Sequence, residues 1–361
     1  MKQKNFITLA ATALIGLSAC KGGASAAGGK LIPEQATIMG GIDVAGLMKT
    51  KHYSENKGML ESQRDWTEMS AAAKACNLDP EKALSSILFG TDGKANFAAV
   101  ITGEGLGDEK NLTCIADKAK EKNGGKTPFT IADDGGKKVL RMDGGEGTGY
   151  IVDGKTVVFA SKGWEAAVKD LIDGKGKAAT DGPNKAIFAR ADQSKHMWAA
   201  GLIPGEVAGM AKAMEADPKD FSVAVDLADG MSFQASVSLA SADQAQALKK
   251  KADEGMAMLK GVAPMMGIPA KAIETLKIDA KDAQITVSAS MGHDDVKALT
   301  GKAGSMMGGM GGMGGMGGGM GGPPPMMEPP VEAVVPPTPA VDPAAAPAAP
   351  LNAAPPAAPA P

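Results

Sequence analysis

Aromatic residues make up only 4% of the chain, so few flat platforms exist for stacking against sugars or bases. Histidine is as sparse. His52, His196 and His293 never fall at HxxxH or HxH spacing, which removes any local histidine metal motif and leaves each reading as a surface or helix-end residue. A basic excess is also missing, because 38 Lys and Arg face 41 Asp and Glu. A mildly acidic chain offers no electrostatic footprint for nucleic acid. There is no G-x-S-x-G elbow and no CxxC pair, and the acidic doublets Asp133-Asp134 and Asp294-Asp295 fall where turns or helix starts explain them. The sequence therefore shows no catalytic constellation and calls for no cofactor, and a non-enzymatic role is the expectation.

What is present begins at the N-terminus. Lys2 and Lys4 precede the uncharged, largely apolar run Phe6 to Gly16. At about 1.5 Å per residue this run covers roughly half of a bilayer core, so it reads as a cleaved export signal rather than a span. The next four residues, Leu17-Ser18-Ala19-Cys20, resemble the lipobox of bacterial lipoproteins. That resemblance implies cleavage before Cys20, a diacylglyceryl group on its thiol and an acylated (for example palmitoylated) new amino terminus. Two or three acyl chains, at about 0.8 kcal/mol per buried methylene, make anchoring effectively permanent. Lys21 follows, and by the same resemblance the absence of aspartate there favours the outer membrane, with the body facing the periplasm or the cell surface. Losing Lys2 and Lys4 with the signal takes the formal charge from -3 to -5.

Cysteine use suits that compartment. With Cys20 committed to lipid, Cys76 and Cys114 remain as an even pair in an oxidising space and are a disulfide candidate, the alternative being two small buried hydrophobes.

Along the chain, residues 20–30 form a Gly/Ala/Ser tether and 31–304 a folded body. Within the body, Ala36–Asp43 reads as a strand and Val44–Asn77 as largely helical, weakening around His52–Gly58. Leu84–Phe89 and Asn96–Thr102 flank the turn Thr91-Asp92-Gly93-Lys94 as a hairpin, and Asp108–Asn123 carries Leu112, Ile115, Ala116 and Ala119 at helical spacing. Strands over Phe129–Ala132 and Lys137–Met142, a hairpin over Gly149–Ala160 and a helix Trp164–Asp173 complete a first half, 31–182. A second half, 183–304, repeats the order. Pro183–Asp192 echoes the opening strand, Phe221–Leu239 forms a hairpin turning at Asp229-Gly230, Ala242–Val262 a helix, Ile273–Asp279 and Gln284–Ala289 strands, and Asp294–Lys302 a short helix. The fold class expected is α+β: two ferredoxin-like βαββαβ-type repeats with extra strands and antiparallel sheets. The body resembles uncharacterised secreted bacterial proteins that begin with a Pro-x-x-Ala strand.

The composition changes at Ser305. Residues 305–322 are Gly/Met-rich and 323–361 mostly Pro and Ala, which predicts a disordered tail. The Gly-Gly-Met repeat resembles the flexible tail of bacterial chaperonins, and its M-x-x-M spacing is similar to Met-rich motifs of copper transporters. That second resemblance makes Met306, Met307, Met310, Met313, Met316 and Met320 an alternative Cu(I) site, since thioethers are soft ligands. The Pro/Ala part resembles linkers of envelope proteins that touch peptidoglycan, so peptidoglycan or an envelope protein is the expected partner besides the membrane.

One motif is formally complete. Gly149 to Thr156 satisfies G-x-x-x-x-G-K-[ST], but its interior is the apolar Tyr150-Ile151-Val152 and strand-forming residues follow, so Asp153-Gly154 reads as a hairpin turn. Gly144-Gly145-Glu146-Gly147 likewise reads as a strand connection.

Overall fold

The computed structural model describes residues 26–122, 124–212, 215–262 and 270–298. Cys20, the six tail methionines and the segments 1–19, 305–322 and 323–361 lie outside the described residues. In chain order the first part holds α1 (Ala26–Gly29), β1 (Ile38–Asp43), α2 (Val44–Leu47), α3 (Lys51–Glu61), α4 (Arg64–Ala75), β2 (Ser86–Thr91), β3 (Phe97–Thr102), α5 (Glu109–Lys122), β4 (Phe129–Asp134), β5 (Lys137–Met142), β6 (Gly147–Asp153), β7 (Thr156–Ser161), α6 (Glu165–Ile172) and α7 (Lys185–Phe188). The second holds β8 (Met197–Leu202), α8 (Gly205–Lys212), β9 (Pro218–Asp226), β10 (Gly230–Leu239), α9 (Ala242–Val262), α10 (Ala270–Glu274), β11 (Lys277–Lys281) and β12 (Gln284–Gly292).

All twelve strands form one mixed-helix, antiparallel sheet in the order β11-β12-β10-β9-β8-β1-β2-β3-β7-β6-β5-β4. β1 and β8, the opening strands of the two parts, pair at its centre, with Gly40 opposite Ala199. The α+β class and antiparallel pairing hold, but the ferredoxin-like arrangement does not. A split βαβ unit uses its helix to cross to a parallel strand, whereas α2 to α4 return the chain beside β1 in the opposite direction. The order of elements along the chain is the same in both cases, which is why sequence order alone could not separate them.

Further corrections follow from packing. Pro183–Asp192 is no strand: Phe188 and Ala191, three apart and both buried, seat a helical turn on the sheet, and the strand that opens the second part is β8. Residues 270–274 are helical, so the strand expected from Ile273 begins at Lys277. The helix expected over 44–77 is three, and His52 lies inside α3 rather than in a break. Thr50 caps α3 with its hydroxyl accepting from Tyr53 N–H at 3.0 Å.

Strand alternation gives the sheet two unlike faces. On the first, Met39, Leu88, Val100, Val158 and Trp198 are buried beneath Trp164, Val168 and Phe188, forming the main core. Each such side chain contributes about 1.5–3 kcal/mol when fully buried. On the second face, α5 covers Leu140 and Val157 through Leu112, and α9 with α8 covers Leu239 through Ala245.

The turns expected at Asp92-Gly93 and Asp153-Gly154 are hairpins in the structure. Asp92 Oδ1 accepts from Lys94 N–H at 2.9 Å and Asn96 N–H at 3.1 Å, and Gly93 supplies a φ of 74° that a side chain would resist. Gly149 sits within β6 and the residues after Lys155 form β7, so no helix N-terminus faces the would-be phosphate loop.

Candidate functional site

A row of polar side chains crosses the first face at one end of the sheet. Ser290, Ser232 and Asp226 stand opposite one another on β12, β10 and β9, and Asp43, Ser86 and Thr102 do the same on β1, β2 and β3. His196, just before β8, joins the two sets. Its carbonyl accepts from Asp43 N–H at 2.9 Å and its Nδ1 lies 2.8 Å from Asp226 Oδ1.

His196 is 0% exposed, a correction to its expected surface position. Burial pushes the imidazole down to about 4, against the opposing pull of Asp226, and Lys195 adds to the lowering. The ring is therefore neutral at pH 7. Leu227 N–H also approaches Nδ1, at 3.2 Å, but one nitrogen cannot accept from an amide and face a carboxylate at 2.8 Å without a proton of its own. We assign that proton to Nδ1, donating to Asp226, which leaves the Nε2 lone pair buried and without a partner.

Asp226 is held ionised. Burial works against its charge, but the Lys195 ammonium at 2.8 Å and the Ala228 N–H at 3.1 Å outweigh that and keep it below the usual carboxylate range. Lys195 is raised in turn, first by its hydrogen bond to Asp226. Asp43 behaves oppositely. Burial raises it, although its Oδ1 accepts from Gly46 N–H at 3.0 Å as the cap of α2, and its Oδ2 has no partner.

Beside this row lies a groove of about 460 Å³. Its floor is Ala224, Gln234 and Ser288 on adjacent strands, with Ser232 and Ser290 one pleat away, and Lys195, Asp226 and Lys277 form its charged rim. Loop residue Asp192 and the α10 end, Glu274 and Thr275, close two sides. Thr275 Oγ1 accepts from Ser290 N–H at 3.1 Å, which pins that wall to β12. Such a lining can hydrogen-bond a hydroxyl- or amide-rich ligand. The buried imidazole is turned into the protein and locks Asp226 and Lys195 in place.

The other histidines, isolated in sequence, meet in space. His52 on α3 and His293 after β12 pack edge-to-face with ring centroids 6.0 Å apart, and Glu55 lies 3.0 Å from His293 Nε2 and 3.2 Å from Lys297. Glu55 is lowered first by its hydrogen bonds to His293 and Lys297, and His52 is lowered by burial and by His293. Among the described residues no group of three or more His, Cys, Asp or Glu has a metal-holding geometry.

Cys76, at the end of α4, and Cys114, on α5, form a disulfide with Cα atoms 5.6 Å apart. Asp133 and Asp134 end β4, paired with Lys138 at 3.0 Å and with Arg141 and Lys169 at 3.1 and 3.2 Å.

The groove could have been suspected from Ser232, Gln234, Ser236 and Ser238 alternating with apolar residues, but His196 could not. It follows the polar stretch Asp192-Gln193-Ser194-Lys195, and only the apolar run Met197 to Leu202 after it marks a strand.

No protein-family model matches this chain, and no curated protein matches it significantly. Among solved structures, crystal form I of TP0453 superposes with a TM-score of 0.40 at 7% identity, over 75% of this chain and 96% of that one. That likeness is too slight to argue from. Fold and site thus define an α+β protein with one extended antiparallel sheet and a polar groove on it.

Proposed function

We propose that the chain is an exported lipoprotein, anchored to the outer membrane through acyl chains on Cys20, whose body binds a polar envelope ligand without transforming it. The observation that carries this reading is the groove itself. Its floor carries Gln234 and Ser288 beside Ala224, with Ser232 and Ser290 one pleat away, and two of the charges beside it, Lys195 and Asp226, are paired with each other 2.8 Å apart. Hydroxyl and amide groups at strand spacing suit a hydroxyl- and amide-bearing polymer, and peptidoglycan is the envelope material of that chemistry. Soluble peptidoglycan fragments should bind the full chain saturably, and Gln234→Ala with Ser288→Val should weaken binding at least tenfold. Equal binding by that variant, or turnover of the fragments, would refute it.

The body also reads as a duplication, with halves 31–182 and 183–304. Support comes from β1 and β8 meeting antiparallel at the centre and from Val44-Ala45-Gly46 after β1 recurring as Val207-Ala208-Gly209 after β8.

A further inference from the structure

On the face opposite the groove, a line of side chains runs across the sheet without one polar group. At the centre Val223, Ala199, Gly40, Phe89 and Ala99 stand opposite one another on β9, β8, β1, β2 and β3. The line continues through Ala235 to Ile278 on one edge strand and through Phe159 to Ile131 on the other. Six of the eight phenylalanines, Phe89, Phe97, Phe129, Phe159, Phe221 and Phe233, alternate onto this face.

Its flanks and one end are roofed, and at that end Val44 and Leu47 of α2 pack on Ile42, Ile87, Met197 and Val225. α5 sits over the β4 to β7 side and α9 over the β10 to β12 side, and neither apolar cluster they form includes Ala199, Phe221, Val223 or Phe89. These four are partly buried, and Phe97 is 41% exposed. Helices on the same side carry further exposed apolar groups: Met59 on α3, Met69 on α4, Val207 and Met210 on α8, and Met258 on α9. A phenylalanine-rich strip with pliable methionines exposed on the helices of the same side is a surface that adapts to a flexible apolar occupant.

We propose that this trough holds a hydrocarbon chain of a lipid, an occupant distinct from the polar ligand of the opposite face. A peptide would bring backbone N–H and C=O groups, and the floor offers them no donor or acceptor, whereas methylenes need none. The dimensions agree. Five strands at about 4.8 Å span roughly 20 Å, and an acyl chain reaching the bilayer midplane is about 15 Å long. The inference does not depend on the lipid anchor or on the polar groove.

The test uses the full 361-residue chain carrying Cys20→Ser, so that no attached acyl chain competes. A fluorescent sixteen-carbon fatty acid should bind saturably and be displaced by palmitate. Ala199→Glu, which sets a carboxylate in the middle of the floor, should weaken binding at least tenfold while Thr130→Ala, exposed on the opposite face, leaves it unchanged. Should Ala199→Glu fail to fold, Phe97→Ser, at an exposed position, should still weaken binding several-fold. Absence of saturable binding, or equal binding by a folded variant, overturns the proposal. So does a concentration-dependent dimer abolished by Phe97→Ser, which would make a second copy of the chain the occupant.

Discussion

The ring of Phe89 lies over Gly40 on the neighbouring strand: a β-carbon at Gly40 would come within 2.6 Å of Phe89 Cζ and 2.8 Å of the Trp198 carbonyl oxygen. The same device recurs at β6, where a β-carbon on Gly149 would meet Phe159 at 2.9 Å. In both pairs the glycine leaves room for an aromatic ring to fold down onto the sheet. Gly149, formally the first residue of a phosphate-loop motif, is there to accept Phe159.

Gly40→Ala should therefore destabilise the body by about 1–3 kcal/mol, the usual cost of overpacking. Phe89→Leu should cost less in the Gly40→Ala background than in the parent, because the ring that clashes is gone. Chemical denaturation of the four variants of this cycle measures the coupling. Strict additivity would mean that the ring and the glycine are independent.

His196 gives a pH dependence whose sign is fixed. Its unfolded value is 6.5 and its folded value about 4, so the unfolded chain takes up the proton first as pH falls. Stability from the neutral ring is complete above pH 6.5, declines between there and pH 4, and is lost below it. A shift of this size corresponds to on the order of 3 kcal/mol. Thermal melts of His196→Gln should fall less steeply than the parent across that window. Parallel curves for the two proteins would contradict the buried neutral assignment.

The Cys76–Cys114 bridge ties the end of α4 to α5, and α5 in turn rests on Leu140 and Val157. Its loss should lower stability by about 3–4 kcal/mol through the freed 38-residue separation. Comparison of melting temperatures with and without reductant measures this, and Cys76→Ser/Cys114→Ser should be insensitive to reductant.

Much of this was legible before any coordinates and some could not be. Alternation of Phe233, Ala235, Val237 and Leu239 with Gln234, Ser236 and Ser238 announced a strand with one wet face, and β10 is that strand. The Asp92-Gly93 turn announced its hairpin for the same local reason. Strand order is not local. Nothing within β1 or β8 states that they pair with each other, and the line of apolar residues from β11 to β4 exists only once eleven registers are fixed. Pro183–Asp192 misled because its echo of Pro33–Asp43 is one of residue types only, and a Pro-x-x-Ala start opens a helical turn as readily as a strand. His52 and His293 meet because α3 lies near the end of β12, a relation no spacing encodes.

For the methionines of the tail, the account proposed here assigns no metal role. A competition titration of the 305–322 peptide against a Cu(I) chelator should show affinity no better than that of a version with Met306, Met307, Met310, Met313, Met316 and Met320 replaced by Leu. At least a tenfold advantage for the methionine peptide would establish the copper reading.

The proposed anchoring rests on one sulfur atom, and mass spectrometry of the N-terminal peptide of the protein made in its own envelope reads it directly. The account predicts a mature chain beginning at Cys20 and heavier than its residues by a diacylglyceryl group and an amide-linked acyl chain. A mature chain starting elsewhere, or one that starts at Cys20 with a free thiol, would contradict it.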